Sequence, residues 1–275
     1  MQNHPTIVRS LFVATLGALC AGTALAQAPV QAPAPAQAPS KQAPAAPTML
    51  LPAAAAQHVV KVLRLRAGET LTLFDGRGGE WEAEIVEITK SAVRVRALQH
   101  LPIERESPLE ITLLQALVRG EKMDWVVQKA TELGVHRIVP IATARSVVQL
   151  ADDRAEKRLE HWRGVAAAAC EQCGRNRLPE ISTPITLAAA CAVQATRGLG
   201  MHSFLFVPTA ARDFVAALQN LPQATPQAAR LSVLVGPEGG LTDAEQSQAA
   251  GCGFQAVSLG PRVLRTETAG ATALA

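Results

Sequence analysis

From residue 111 onward, short apolar segments alternate with helical patterns, and this alternation restricts the fold more than any other feature of the sequence. The pattern predicts strands over 111–117, 137–142, 203–207, 231–235 and 254–259, and helices over 121–133 and 152–173. Apolar strands separated by helices are typical of a largely parallel sheet that helices cover. We therefore expect an α/β domain over residues 107–275.

Residues 49–104 instead show the two-residue alternation of antiparallel strands. The segment Leu71–Phe74 leads into Asp75-Gly76-Arg77-Gly78-Gly79, which is a strong hairpin signal. A helical pattern over 53–65 precedes the strands, and a polar connection over 100–108 with two prolines follows them. We expect a small antiparallel barrel or sheet, with the domain boundary in that connection.

The first fifty residues lack a core-forming pattern. Arg9 precedes an apolar run that ends in Ala24-Leu25-Ala26, so residues 1–26 have the form of a secretory signal. Residues 27–48 are rich in Ala, Pro and Gln, which predicts a disordered linker. Two interpretations stay open: the chain is exported, or its start codon has been placed upstream of the true one.

The composition limits how the chain can bind nucleic acid. Tyr is absent and aromatic residues make up 3%, so base stacking cannot carry any affinity for nucleic acid. Arg9 and Lys41 are the charged residues of the first fifty, which leaves 24 basic and 23 acidic residues over 51–275. Nucleic acid must therefore be bound by local basic patches.

The five cysteines favour a reduced compartment and argue against a metal site. Cys20 lies in the leader, Cys170 and Cys173 form a C-x-x-C in a helical context, and Cys191 and Cys252 are isolated in the sequence. A zinc site with four ligands needs a second pair at matching spacing. We interpret these cysteines as small, buried apolar residues on helices.

Two glycine–proline turns follow two of the predicted strands. Leu231–Val235 runs into Gly236-Pro237-Glu238-Gly239-Gly240, and Phe254–Leu259 runs into Gly260-Pro261-Arg262. Open α/β sheets bind ligands at the carboxyl ends of their strands. The first turn matches neither the dinucleotide motif nor the phosphate-binding loop, and its carboxylate suits a ligand with hydroxyls or positive charge. Either turn alone could be structural, but together they indicate a ligand site.

Several separated segments together resemble the ribosomal RNA small-subunit methyltransferase E family. These are Arg119–Trp125, Gln128–Gly134, Arg145-Ser146, Glu171–Arg175, LVGPEGG within 231–240 and SLGPRVLRTETA within 257–269. The resemblance implies methylation of N3 of a uridine in 16S rRNA by a homodimer that uses S-adenosyl-L-methionine. It implies an N-terminal PUA-like β-barrel and a SPOUT-type α/β domain with a C-terminal trefoil knot.

The resemblance also bears on both ends of the chain. It favours a cytoplasmic protein with a misplaced start codon, because an exported chain would meet neither ribosomes nor the methyl donor. The leader is expected to replace the family's first β-strand, just upstream of Leu51. The chain is expected to stop at Ala275 within the last helix of the family.

By resemblance, backbone groups of the glycine turns and nearby apolar residues line the donor pocket: Leu234, Gly236, Glu238, Gly239, Leu259, Gly260 and Leu264. Methylation of N3 requires loss of its proton and stabilisation of charge on the flanking carbonyl oxygens, which suits a carboxylate and an arginine. The catalytic candidates are Arg145, Glu171, Arg175, Arg265 and Glu267. Which of them is the base stays open, and each could instead form a structural ion pair.

The candidate RNA-binding residues are the polar members of the predicted helix and one strand face of the β domain: His58, Lys61, Arg64, Arg66, Arg94 and Arg96. We expect no metal, and no membrane contact for the folded part. Two alternative functions remain: a catalytically inactive RNA-binding protein, and a related knotted methyltransferase that acts on tRNA.

Overall fold

The computed structural model describes residues 10–12, 48–90, 92–146, 152–195, 201–221 and 230–275. The chain divides into two compact units, residues 1–104 and residues 105–275.

Five strands make up the sheet of the first unit, within the part of the chain that is described. They are β1 (Ser10–Phe12), β2 (Thr48–Leu50), β3 (Thr70–Phe74), β4 (Glu80–Ile88) and β5 (Val93–Leu101). The order in space is β1-β3-β4-β5-β2. All neighbouring pairs are antiparallel except β1 and β3, which are parallel.

The core of this unit follows the alternation in the sequence. Leu71, Ala83, Ile85 and Val95 are buried on one side of the sheet, where they pack with the helical segment that precedes β3. The alternation in β4 slips by one residue after Ile85, and the pairing of β4 with β5 shifts register at the same place. A bulge of this kind keeps the apolar side chains on the core face.

The helical segment before β3 has two parts. Helix α1 (Ala53–Gln57) continues directly into a π-helical turn, His58–Leu63. The segment ends at Arg64, whose φ of 54° is in the left-handed region. The sequence predicted one helix over 53–65, and its periodicity did not indicate the wider turn.

Strand β1 lies within the leader, in the segment that the sequence predicts to be a secretory signal. Its residues pair in parallel register with β3, Ser10 with Thr72 and Phe12 with Phe74. The leader therefore contributes a strand at the edge of this sheet. The sequence analysis expected the leader to take the place of the family's first strand and did not expect it to form a strand of its own. The rest of the leader up to Pro47 lies outside the described residues.

The second unit is a parallel sheet with helices between its strands. Its strands are β6 (Glu110–Ala116), β7 (Arg137–Ala142), β8 (Glu180–Ile181), β9 (Ile185–Thr186), β10 (Met201–Phe206), β11 (Arg230–Val235) and β12 (Gln255–Val257). Its helices are α2 (Glu121–Glu132), α3 (Asp152–Cys173), α4 (Leu187–Ala195), α5 (Phe214–Gln219), α6 (Asp243–Gly251) and α7 (Thr266–Leu274). The short elements β8, β9, α4 and α5 were not predicted from the sequence.

The sheet order is β12-β10-β11-β6-β7-β8, and β9 also pairs with β7. The central strands are buried on both faces, as a parallel sheet requires. One layer of the core contains α2, α3 and α7, with Val127, Trp162 and Leu274 among its buried residues. The other contains α4 and α6. Because β12, β10, β11 and β6 are adjacent and parallel, their carboxyl ends lie at the same edge of the sheet, and the loops that follow them meet there.

Helix α2 ends as its sequence predicts. Gly134 follows the last turn with a φ of 85°. The backbone N–H of the next residue, Val135, donates a hydrogen bond to the carbonyl of Ala130. Glycine adopts this left-handed conformation without the strain that a β-carbon would cause. No helix among the described residues is long and apolar enough to cross a membrane.

Two cysteines that are isolated in the sequence meet in the fold. Cys191 on α4 and Cys252 at the end of α6 pack in the same core layer. Burial and the neighbouring Cys252 thiol together raise the pKa of the Cys191 thiol to about 12. Cys170 is also buried, as the sequence predicts for a small apolar residue, whereas Cys173 is exposed and contradicts that prediction.

We predict that removing residues 1–12 lowers the free energy of unfolding by about 1–2 kcal/mol, because the edge of β3 loses its backbone partners. Deleting residues 31–40, from the Ala/Pro/Gln-rich segment, should leave the stability unchanged, since this composition has no core-forming pattern. Urea unfolding of the two deletion variants and the full chain measures the difference. Equal stability of all three would mean that β1 contributes nothing and that the leader is dispensable.

Candidate active site

A cavity of about 460 Å³ opens at the carboxyl edge of the parallel sheet. It is enclosed by the segments that follow β10, β11 and β12, together with the first turns of α2 and α7. Its size falls within the range of small-molecule sites, roughly 300–1,000 Å³. The two glycine turns singled out in the sequence both border it.

The first glycine turn approaches the cavity with its backbone. Gly236 lies directly after β11, and a β-carbon there would come within 3.3 Å of the Leu241 backbone nitrogen. Gly240 closes the turn with a φ of 66°, in the left-handed region, and its N–H donates to the carbonyl of Pro237. The turn therefore needs glycine at Gly236 because the Leu241 backbone lies close, and at Gly240 because the backbone is left-handed there.

Charged side chains from three elements meet at one wall of the cavity. The Lys122 ammonium, on the first turn of α2, donates to Glu238 Oε1 at 2.9 Å and lies 4.0 Å from Glu267 Oε1. Arg265 Nη1 lies 3.9 Å from the same Glu267 oxygen. The hydrogen bond from Lys122 lowers the pKa of Glu238 against the opposing effect of burial.

Glu267 is the most buried of these charged groups. Its side chain is 14% exposed, and its Oε2 atom is buried without a hydrogen-bond partner among the residues that the structure describes. A buried carboxylate oxygen with unused lone pairs can accept a proton or a hydrogen bond. Glu267 is therefore chemically available, although it lies in an ion-pair network.

A hydrogen-bonded chain fixes the floor of the cavity. The Gln115 amide at the end of β6 donates to Thr266 Oγ1 at 3.2 Å, and the Thr266 hydroxyl donates to the carbonyl oxygen of Gly236. Gln115 is fully buried. Two sheet strands and the start of α7 are thus joined through one threonine hydroxyl.

A turn over residues 143–146 packs onto the glycine turn. Arg145 Nη1 donates to the Gly239 carbonyl at 2.8 Å. Glu245 accepts from the backbone N–H of Ala144 at 2.7 Å and forms a capping box with Thr242 at the start of α6. Burial opposes ionisation of Glu245, but these hydrogen bonds outweigh it and lower its pKa below the ordinary value.

Arg175 is fully engaged within the protein. Its guanidinium forms two hydrogen bonds with the Glu106 carboxylate, one of them 2.9 Å long, and donates to the backbone carbonyls of Thr131 and Val135. The side chain is 7% exposed. This geometry ties the end of α2 to the start of the unit.

The seven residues predicted for the donor pocket fall into two groups. Four line the cavity: Gly236, Glu238, Leu259 and Leu264. The other three do not: Leu234 is fully buried in the α4–α6 core layer, Gly239 lies against the Arg145 side chain, and Gly260 occupies the second turn with a φ of 80°.

The five predicted catalytic residues are also separated by the fold. Arg265 and Glu267 line the cavity. Arg145 is exposed and contacts the glycine turn from outside, Arg175 is buried beside Glu106, and Glu171 lies on α3, outside the lining residues. The structure thus brings two of the five together at the cavity.

The six predicted RNA-binding residues belong to the first unit. Lys61, Arg64 and Arg66 are exposed, and His58 is half-buried. Arg94 lies 3.4 Å from Glu87, and Arg96 lies 4.0 Å from Glu84. The two arginines of β5 therefore form ion pairs with glutamates of β4. Lys61, Arg64 and Arg66 instead carry their charges at the surface.

Sequence reasoning missed three residues of the cavity region: Lys122, Thr266 and Gln115. Lys122 and Thr266 lie in segments that carried the family resemblance, but they were assigned no role. Their partners lie far away in the chain, so local pattern gives no signal for them. In the described part of the chain, no cluster of His, Cys, Asp and Glu could hold a metal ion.

Comparisons with known proteins agree with this architecture. Residues 105–275 match the RNA methyltransferase domain family, and residues 51–98 match the RNA methyltransferase PUA domain family. The ribosomal RNA small subunit methyltransferase E of Bacillus subtilis is 31% identical over 224 residues, covering 82% of this chain and 87% of the relative.

Two solved structures are similar over most of the chain. A methyltransferase from Legionella pneumophila, in complex with the cofactor SAM, has a TM-score of 0.78 and 33% identity, covering 98% of this chain and 96% of its own. A ribosomal RNA small subunit methyltransferase E from Neisseria gonorrhoeae, bound to S-adenosyl methionine, has a TM-score of 0.74 and 35% identity, covering 85% and 92%.

The fold and its cavity thus define an RNA methyltransferase that carries a PUA domain. Within that class, the chain belongs to the ribosomal RNA small subunit methyltransferase E family. The resemblance stated from the sequence motifs is confirmed.

We predict that Arg175→Met lowers the free energy of unfolding by about 3 kcal/mol, because it removes the two hydrogen bonds to the Glu106 carboxylate and those to the buried carbonyls of Thr131 and Val135. Urea unfolding measures this loss. Arg175→Lys should recover part of it, since lysine keeps the charge but cannot form the two-pronged contact. A Met variant as stable as the natural chain would contradict a structural role for Arg175.

We predict that part of the acid sensitivity of the protein comes from Glu245. Its folded pKa is depressed below 4.5, so its stabilising effect is present above that pH and is lost as pH falls through the folded value. Glu245→Gln keeps one acceptor oxygen where the carboxylate uses both, so it should lower stability at pH 7 by about 1 kcal/mol and should flatten the pH dependence below 4.5. Urea titrations of both proteins at several pH values test this, and parallel curves would contradict it.

Proposed function

We propose that this protein transfers a methyl group from S-adenosyl-L-methionine to N3 of a uridine in 16S rRNA of the small ribosomal subunit. The observation that carries the proposal is the cavity at the carboxyl edge of the sheet, which combines two glycine turns with an acidic and a basic side chain. Family membership supports the reaction class, and the SAM-bound relatives support the donor.

The cavity fits this donor in its chemistry. Leu259, Leu264 and Val207 offer apolar walls suited to an adenine ring, and the backbone of the Gly236–Gly240 turn offers polar groups for the ring edge. The charged wall around Lys122 and Glu238 suits an amino-acid group. When bound, S-adenosylmethionine supplies an electrophilic methyl group on a positively charged sulfur.

Two of the five catalytic candidates have the geometry for the chemistry. We assign Glu267 as the acceptor of the N3 proton, because it lines the cavity and its Oε2 atom has no hydrogen-bond partner among the described residues. Arg265 also lines the cavity, and its 81% exposed side chain is free to reach the uracil carbonyl oxygens. Arg175 and Glu171 are structural residues in this proposal.

The remaining features of the proposal rest on family resemblance. We propose that the exposed residues Lys61, Arg64 and Arg66 contact RNA phosphates, which every RNA sequence presents. We propose a homodimer and a SPOUT-type second unit with a C-terminal knot.

Mass mapping of 16S rRNA from a strain that lacks the gene tests the function directly. One uridine should lose a methyl group in that strain and regain it when the gene is restored. Restoration of a methyl group on tRNA instead would identify the chain as a tRNA enzyme. A protein that binds RNA but restores no methyl group to either would be the inactive binding module.

We predict that Glu267→Gln lowers the rate of methyl transfer by about 10²–10⁴-fold, the usual contribution of a general base. Affinity for the methyl donor should change little, because the amide keeps the shape of the side chain. Single-turnover transfer to small ribosomal subunits and donor-binding calorimetry measure the two quantities. Glu171→Gln tests the competing carboxylate: a large rate loss there, with little loss for Glu267→Gln, would reverse the assignment.

A further inference from the structure

We propose that Lys122 binds the carboxylate at the amino-acid end of the methyl donor, and that its contact with Glu238 is the resting state of that site. The inference rests on the proposed use of S-adenosylmethionine. It adds a residue with a defined ligand group to the cavity, one that the sequence motifs did not assign.

The sheet order divides the cavity into an apolar end and a charged end. Strands β12, β10, β11 and β6 lie side by side, so β12 and β6 are ~14 Å apart at the usual strand spacing. Apolar lining residues such as Leu259 and Val207 follow β12 and β10, whereas Lys122 follows β6. A ligand with an adenine ring at the apolar end extends its amino-acid group toward Lys122.

The start of α2 suits an anion in a second way. The helix runs over twelve residues, and its N-cap, Gly120, provides no side-chain hydrogen bond to the first turn. The partial positive charge of a helix N-terminus favours a nearby carboxylate. Lys122 lies on this first turn and lines the cavity, whereas the two acidic residues of the same turn, Glu121 and Asp124, do not line it.

The contact of Lys122 with Glu238 can be exchanged. The two side chains are 40% and 38% exposed, and an ion pair this open to water is weak. A ligand carboxylate held in the cavity can therefore replace Glu238 as the partner of the ammonium. The other basic lining residues are less suited: Arg265 is 81% exposed, and Arg262 is also exposed.

Decarboxylated S-adenosylmethionine isolates the proposed contact, because it lacks the carboxylate and keeps the adenosine, the sulfonium and the amine. Calorimetry should find that the natural chain binds S-adenosylmethionine about tenfold more tightly than the decarboxylated compound, as expected for a hydrogen bond to a charged group. In Lys122→Met this preference should disappear, because affinity falls for S-adenosylmethionine alone. Lys122→Arg should restore much of it.

Two control variants separate this role from a structural one. Glu238→Gln breaks the same ion pair but leaves the ammonium, so it should keep the preference for the carboxylate. Arg262→Gln removes another charge from the cavity lining and should also keep it.

The possible outcomes distinguish the inference from the proposed function. If Lys122→Met loses affinity for both compounds equally, or if Glu238→Gln abolishes the preference, Lys122 is a structural residue and the inference fails. If Arg262→Gln alone abolishes the preference, the carboxylate lies at Arg262 and the inference also fails. If the natural chain binds neither compound, the proposed methyl donor itself is wrong.

Discussion

The hydroxyl of Thr266 connects the parts of this protein that have to meet for the cavity to exist. It accepts a hydrogen bond from the buried Gln115 amide and donates one to the Gly236 carbonyl, so the end of β6, the turn after β11 and the start of α7 share one polar contact. Leaving a buried polar group without a hydrogen-bond partner costs more free energy than a satisfied hydrogen bond contributes to stability. The geometry of the glycine turn therefore depends on the docking of α7, and so do Arg265 and Glu267 beside Thr266.

Charges in the second unit divide into those that hold the fold and those that face the cavity. Arg175 is surrounded by acceptors and almost inaccessible, while Arg265 is exposed at the cavity mouth. Both arginines had been equal candidates for catalysis in the sequence. Burial, rather than residue type, separates their roles, because a guanidinium that is nearly inaccessible and donates four hydrogen bonds inside the protein cannot reach a substrate.

The alternating apolar pattern was sufficient to predict the parallel sheet of the second unit, since β6, α2, β7 and α3 begin and end within a residue or two of the predicted bounds. Together with the two glycine–proline turns, it was also sufficient to predict where the cavity lies, at the carboxyl ends of the strands. It could not reveal the Lys122–Glu238 contact, whose members are 116 residues apart, or the pairing of Cys191 with Cys252, because these depend on tertiary packing. Strand β1 was missed for a different reason: a short apolar segment after an arginine fits both a signal and an edge strand.

The separation of the cavity residues along the chain has a consequence for biosynthesis. Gln115 and its partner Thr266 are 151 residues apart, and the cavity lining combines Lys122, near the start of the second unit, with residues 205–269. Contacts of such long range form late, because the chain loses more entropy in closing larger loops. A nascent chain can therefore complete β6 and α2 without any capacity to hold a ligand. Only the completely folded unit can then bind the ligand, and binding stabilises that unit as a whole.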